Sequence, residues 1–311
     1  MKVLVLDSGA HINVADMQRE FPDTEFFDTK TEAEALAACA DCDVLVCISH
    51  EATERLIAAM PRLGYIFSLT TGVDHLRTLK ALSPSVRITN ARGIHGPQMA
   101  ELAFLYMLGF TRNIRTLGRN QHDRIWDRWP QPLLYGKTIV VVGLGAIAEA
   151  LIARCNAFGM TVHGVSDART SFPGCETIYR RTDLKTAAAR ADFMVILVPL
   201  DDSSRGMIDA GVFAAMKPTA CLINIARGAV VDEAAMIAAL RDRQIAGAGL
   251  DVFTHEPLPV DSPLWTMDNV MITPRIGGMS DCYAEQIFPL AVHNLRAWKS
   301  GRHDELRNLI R

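Results

Sequence analysis

No stretch of the 311 residues approaches the ~18 consecutive apolar residues that cross a bilayer. Charge of one sign is not in excess either: 32 Lys and Arg stand against 35 Asp and Glu, a net charge of −3. Nucleic-acid binders carry a basic footprint, and this chain has none in bulk, so neither a membrane nor a nucleic acid is an expected partner. No internal repeat or low-complexity stretch appears. Seven cysteines are an odd number and do not suggest a closed disulfide framework. Cys39, Cys42 and Cys47 crowd together in AACADCDVLVC, but VLVC reads as a buried strand and no second ligand pair follows. Buried thiols in a reducing compartment account for them better than a metal site. The opening MKVLVLDSG is too short for a signal-peptide core and reads as a first buried strand of a cytoplasmic protein.

What the chain has is 49% hydrophobic and 22% charged residues, the balance of a folded protein, in a length that suits about two domains. Short apolar runs alternate with helical spacing. KVLVL (2–6), DVLVCI (43–48), YIFSL (65–69) and VRIT (86–89) read as strands, with helical patterns at 32–39 and 51–60 between them. A helix of about five turns is expected over 97–118, opened by Pro97. After the connector IWDRWPQP (125–132) the alternation resumes with TIVVV (138–142), TVHGV (161–165), FMVILV (193–198), ACLIN (220–224), AGAGL (246–250) and NVMIT (269–273). Helices fit between, as at 233–244, and the segment from Ser280 to Ser300 is again helical. Two such series, split near Gln98, argue for two doubly wound parallel-sheet α/β domains. The last helix is expected to return to the first.

Chemistry begins at GLGAIA (143–148), which follows a five-residue apolar strand and opens a helix. Gly143 permits the tight turn, Gly145 lets the backbone approach a pyrophosphate at the helix N-terminus, and Ala148 stands where only close packing is required. No Lys-Ser or Lys-Thr follows, which excludes a nucleotide-triphosphatase loop. The second strand ends in VSDAR (165–169). Asp167 there would bond the ribose hydroxyls of NAD and repel a 2′-phosphate, whereas Arg169 could clamp one, so NAD is expected and NADP stays open.

The segment INIARGAVVDEAAMIAALRDRQIAGAGLDVFTHEPLPVDSPLWTMDNVMITPRIGG (223–278), with TTGVDHL (70–76), NARGIHGPQMAE (90–101) and the glycine loop in the same order, resembles the D-isomer-specific 2-hydroxyacid dehydrogenases over nearly the whole chain. The resemblance implies a flavodoxin-like substrate domain, 1–97 plus 282–311, into which a Rossmann dinucleotide-binding domain, 98–281, is inserted, with the active site in the cleft between them. It also implies a homodimer packed through the 97–118 helix. The activity implied is hydride exchange between a nicotinamide cofactor and a small 2-oxo or 2-hydroxy acid. On that resemblance Arg227 holds the substrate carboxylate and carbonyl, and the backbone amides of Thr71, Gly72 and Val73 meet the same carboxylate. The cofactor is expected at Gly143, Gly145, Ala146, Ile147, Asp167, Val198, Pro199, Ile225, Ala226, Asp251, Gly277 and Gly278, with Asp251 facing the nicotinamide amide. Glu256, in HEPLP, matches the acid that partners a catalytic histidine.

That histidine is missing: the family's TPH-I-G-G pattern reads TPRIGG here, with Arg275 in its place. An imidazole both gives and takes a proton near neutrality, whereas a guanidinium stays protonated. Beside Glu256, Arg275 would turn the relay into a fixed ion pair. His75, His95 and His255 remain as substitutes, though adjacency to Glu256 points His255 to the opposite face of an extended chain. Two readings follow. One is a 2-oxo acid reductase in which Arg227 and Arg275 stabilise the alkoxide and water or a loop histidine supplies the proton, or in which the two arginines take a substrate with a second anionic group. The other is an NAD-binding homologue, weakened or inactive, acting as a redox-responsive binding protein; retention of Arg227, Asp251 and Glu256 favours the enzyme.

Overall fold

The structure, a computed structural model, describes residues 1–311. Five strands, β1 (Lys2–Leu6), β2 (Glu25–Thr29), β3 (Val44–Cys47), β4 (Tyr65–Ser68) and β5 (Arg87–Asn90), pair in parallel in the order β2-β1-β3-β4-β5. This is the flavodoxin-like order. Seven more, β6 (Thr138–Val142), β7 (Thr161–Val165), β8 (Thr177–Tyr179), β9 (Phe193–Ile196), β10 (Cys221–Asn224), β11 (Gly247–Leu250) and β12 (Val270–Ile272), form a second parallel sheet ordered β12-β11-β10-β9-β6-β7-β8. Counted from β6, that is the dinucleotide-binding order with one strand added. The chain divides into two compact units, Met1–Ile94 with Ser280–Arg311, and His95–Met279. No helix is long and apolar enough to cross a membrane.

The central strands are buried on both faces, which is why VLVC, YIFS and FMVI run unbroken in apolar residues rather than alternating. β2 and β8 carry no such signal: EFFDT and TIY lie at sheet edges, are half-exposed, and were not expected from the sequence. Helix starts follow side-chain chemistry: Asn13, Thr31, Thr53, Asp209 and Asp232 each accept a first-turn N–H.

Two helical expectations are corrected. The helix expected over 97–118 is two, Gly96–Thr111 and Ile114–Asp123, because Asn113 takes the left-handed conformation, φ 50°, which asparagine tolerates and a helix does not. The stretch 51–60 is likewise divided: a single turn at Ser49–Glu51 is followed by Glu54–Ala58, which starts where Thr53 accepts the Leu56 N–H.

In the first unit the last helix, Tyr283–Lys299, sets Ile287, Ala291 and Leu295 against Val3, Val44 and Phe67, and the Tyr283 hydroxyl donates to the Leu69 carbonyl. Cys39, Cys42 and Cys47 are buried free thiols, and burial raises all three, Cys42 to about 11. Asp7, just past β1, is fully buried, yet its carboxylate accepts the N–H groups of Gly9 (3.2 Å) and Ile12 (3.0 Å) and lies 2.7 Å from His11 Nδ1. Burial opposes the charge, but the His11 and Ile12 bonds outweigh it and hold the carboxyl below its ordinary value. The bond to Asp7, working against desolvation, raises His11 above 6.5.

Linkage sets the direction of the pH effect. A raised imidazole stabilises the fold fully below its unfolded value and loses that contribution as pH rises through the folded one. Thermal midpoints measured from about pH 6 to about pH 9 should therefore decline in this protein, and His11→Gln should flatten that limb, a loss on the order of 1 kcal/mol at the acid end. An unchanged slope in the variant would show that the pair carries no such linkage.

Candidate active site

At the end of β6 the chain turns through Gly143 at φ 103°, where an added Cβ would lie 2.9 Å from the Val198 backbone nitrogen. This is the switch point, where β6 and β9 adjoin and the strand order reverses. Gly145 begins the helix Ala146–Ala157, no side chain caps its first turn, and a Cβ there would meet nothing within 4 Å. A helix N-terminus without a side-chain cap, entered through a glycine with open space around it, fits a dinucleotide pyrophosphate. Ala148 is fully buried behind them.

Asp167, past β7, is not a lone charge. It accepts the Arg181 N–H at 2.9 Å and pairs with Arg181 Nε at 3.4 Å, while Arg181 Nη1 donates to Ser203. Arg169 lies with its guanidinium 5.0 Å from the Phe172 ring centroid. Val198 and Pro199 follow β9 and Ile225 and Ala226 follow β10, at the same carboxyl edge of the sheet.

Beyond β10, Asn224 clamps the turn: its Oδ1 accepts the Ala226 N–H (3.1 Å) and its Nδ2 donates to the Arg227 carbonyl (3.0 Å). Gly228 comes next because no side chain fits; a Cβ would sit 1.9 Å from the Phe253 carbonyl carbon. That close approach brings the β10 and β11 ends together around a pocket of about 170 Å³ lined by Leu200, Arg227, Gly228, Ala229, Phe253, Thr254, Glu256 and Arg275.

Asp251, directly after β11 and 3% exposed, holds the loop that carries Arg275. One oxygen accepts the Thr273 hydroxyl and the Ile276 N–H (2.9 Å); the other accepts the Gly277 N–H (3.0 Å). Tyr106 bonds the same Thr273 hydroxyl. Burial pushes the Asp251 carboxyl above its ordinary value in spite of these bonds. The loop so held carries Arg275 at φ 56°, and its Nη1 pairs with Glu256 Oε2, while Glu256 Oε1 accepts the Phe253 N–H at 3.0 Å.

In the first unit, the loop after β4 is pinned through its carbonyls. Thr71 O accepts from Asn90 (2.6 Å) and Gly72 O from Thr70 (2.9 Å), which turns the N–H groups of Gly72 and Val73 the opposite way. Of the substitute histidines, His75 has Nε2 2.9 Å from the Ala52 carbonyl, His255 is exposed, and His95 precedes the Gly96–Thr111 helix with its ring against Gly278. The second unit thus brings Arg227, Asp251, Glu256, Arg275, Gly277 and Gly278 to one edge of one sheet. Tyr106, Thr273, Arg181 and Leu200 were missed in the sequence. Only Arg181, in the Arg180–Arg181 pair directly after β8, offered a signal there.

Residues 104–277 match the family model for the NAD-binding domain of D-isomer specific 2-hydroxyacid dehydrogenases. The chain belongs to that family. It is 31% identical to a glyoxylate reductase of Pyrococcus furiosus across 96% of this chain and 88% of that one. A D-isomer specific 2-hydroxyacid dehydrogenase family protein from Aeromonas salmonicida superposes with a TM-score of 0.92 at 29% identity, covering 100% of this chain and 98% of that one. An NADPH-dependent glyoxylate/hydroxypyruvate reductase from Sinorhizobium meliloti, solved with NADP and sulfate, gives 0.84 at 26% identity, covering 99% and 98%. This 2-hydroxyacid dehydrogenase is therefore an NAD(P)-dependent oxidoreductase.

Proposed function

We propose that this dehydrogenase reduces a small 2-oxo acid to the 2-hydroxy acid, and does so without an imidazole proton relay. The observation that carries the reading is the pocket at the carboxyl edge of β10 and β11, where Arg227 and Arg275 share one wall with Glu256 and no other titratable side chain lines the space. When bound, the reduced nicotinamide supplies the hydride. Arg227 grips the carboxylate and the carbonyl oxygen, a task that suits a planar fork of donors. As negative charge develops on the carbonyl oxygen, the fixed positive charge of Arg227 and Arg275 stabilises it. Neither guanidinium gives up a proton under ordinary conditions, so the oxygen takes its proton from water. A protein that merely binds dinucleotide has no use for Arg227 clamped in this pocket.

Arg227→Ala should lower kcat/KM for 2-oxo acids by at least about 10²-fold while the dissociation constant for NAD(P)H, followed by nicotinamide fluorescence, stays within about twofold. Reduction at the parent rate would mean that Arg227 does not hold the substrate.

Cofactor choice rests on Asp167, whose charge Arg181 offsets. Arg181→Ala leaves Asp167 unpaired beside the ribose, so the ratio of NADPH to NADH dissociation constants should rise about tenfold, and Asp167→Ala should lower it. If neither titration moves, the preference is set elsewhere.

A further inference from the structure

In the loop after β4 four successive carbonyls are engaged, while two successive amides are not. Leu69 O accepts the Tyr283 hydroxyl, and Thr70 O accepts the Ser68 hydroxyl (3.1 Å) and the Ala91 N–H (3.3 Å). Thr71 O accepts from Asn90 Nδ2 (2.6 Å) and Gly72 O from the Thr70 hydroxyl (2.9 Å). The N–H groups of Gly72 and Val73 have no acceptor in the protein, although Val73 is only 5% exposed. Backbone donors at buried positions are nearly always paired, so these two call for an acceptor from outside the chain. Successive open N–H groups in a bend suit an oxyanion.

Two side chains set where those donors point. The C=O of one residue and the N–H of the next share one planar trans peptide and face opposite ways. Asn90, by holding Thr71 O, therefore fixes the Gly72 N–H. Thr70, by holding Gly72 O, fixes the Val73 N–H. Gly72 has no Cβ and offers little resistance to either peptide turning over, so the two bonds are what keeps them in place. Asn90 is itself secured at the end of β5, 4% exposed. Its Oδ1 accepts the Arg92 N–H (3.2 Å), which leaves Nδ2 as the donating end, and its own carbonyl accepts from Asn308 Nδ2 (3.1 Å).

We propose that Asn90 and Thr70 are positioning residues for substrate binding, each aiming one backbone amide of this loop at the carboxylate of the acid. The inference rests on the 2-oxo acid reading and adds to it the side chains that keep the loop ready to receive an anion. An amide that meets the carboxylate serves the bound acid and the transition state alike. Its loss therefore weakens binding and leaves the chemical step nearly unchanged.

The test is NAD(P)H-dependent reduction of glyoxylate by the full chain. Thr70→Val keeps the shape and removes the donor, and Asn90→Ala removes the other. Each should raise KM at least about tenfold with kcat within about threefold of the parent. Thr70→Ser keeps the hydroxyl, and its KM should stay within about twofold of the parent's. A merely structural role would lower the thermal midpoint and leave KM where it was. A folded Thr70→Val or Asn90→Ala with the parent's KM, or a Thr70→Ser whose KM rises as far as that of Thr70→Val, overturns the assignment and leaves the reductase reading in place. Should Asn90→Ala fail to fold, which its thermal midpoint reports, the Thr70 pair decides, because it leaves β5 untouched. No turnover of glyoxylate, pyruvate or oxaloacetate by the parent overturns both.

Discussion

The carboxylate of Asp251 is the constraint on which the site depends. It is buried and raised above its ordinary value, and it accepts the Thr273 hydroxyl and two backbone N–H groups from the loop after β12. That loop has no regular secondary structure of its own, so these bonds fix the direction in which it leaves the sheet. Tyr106 reaches Thr273 from the Gly96–Thr111 helix, and its ring lies where a Cβ on Gly249 would be, 2.4 Å from Cγ. Helix, strand and loop are thereby locked together, and Arg275 is carried to Glu256 in a backbone conformation that an unsupported arginine would leave.

The chemistry follows from that placement. A histidine at this position beside Glu256 would form a relay whose proton moves. Arg275 at the same position forms an ion pair whose protons stay. On the reading proposed above, Arg227 and Arg275 at this pocket stabilise a developing oxyanion without an acid to neutralise it.

Much of this was legible in the chain. GLGAIA after TIVVV and before a helical pattern located the switch point, and Gly143 has the positive φ that the motif requires. TPRIGG carries arginine where the family resemblance leads one to expect histidine. What stayed hidden was pairing at a distance. Asp167 and Arg181 stand 14 positions apart and meet only because β8 lies beside β7. Tyr106 and Thr273 are 167 positions apart, and one tyrosine in an apolar helix looks like core. The break at Asn113 was missed because apolar periodicity continues past it, and β2 because an edge strand needs no apolar run.

The most direct test is the pH dependence of kcat for glyoxylate reduction in the parent enzyme and in Arg275→His. The parent rate should lack the limb that a titrating imidazole produces near pH 6–7, and the variant should acquire it, with turnover on this monoanion rising about 10- to 100-fold below the new inflection. A parent profile that already falls through that limb would contradict the account, because some other acid would then be supplying the proton in place of water.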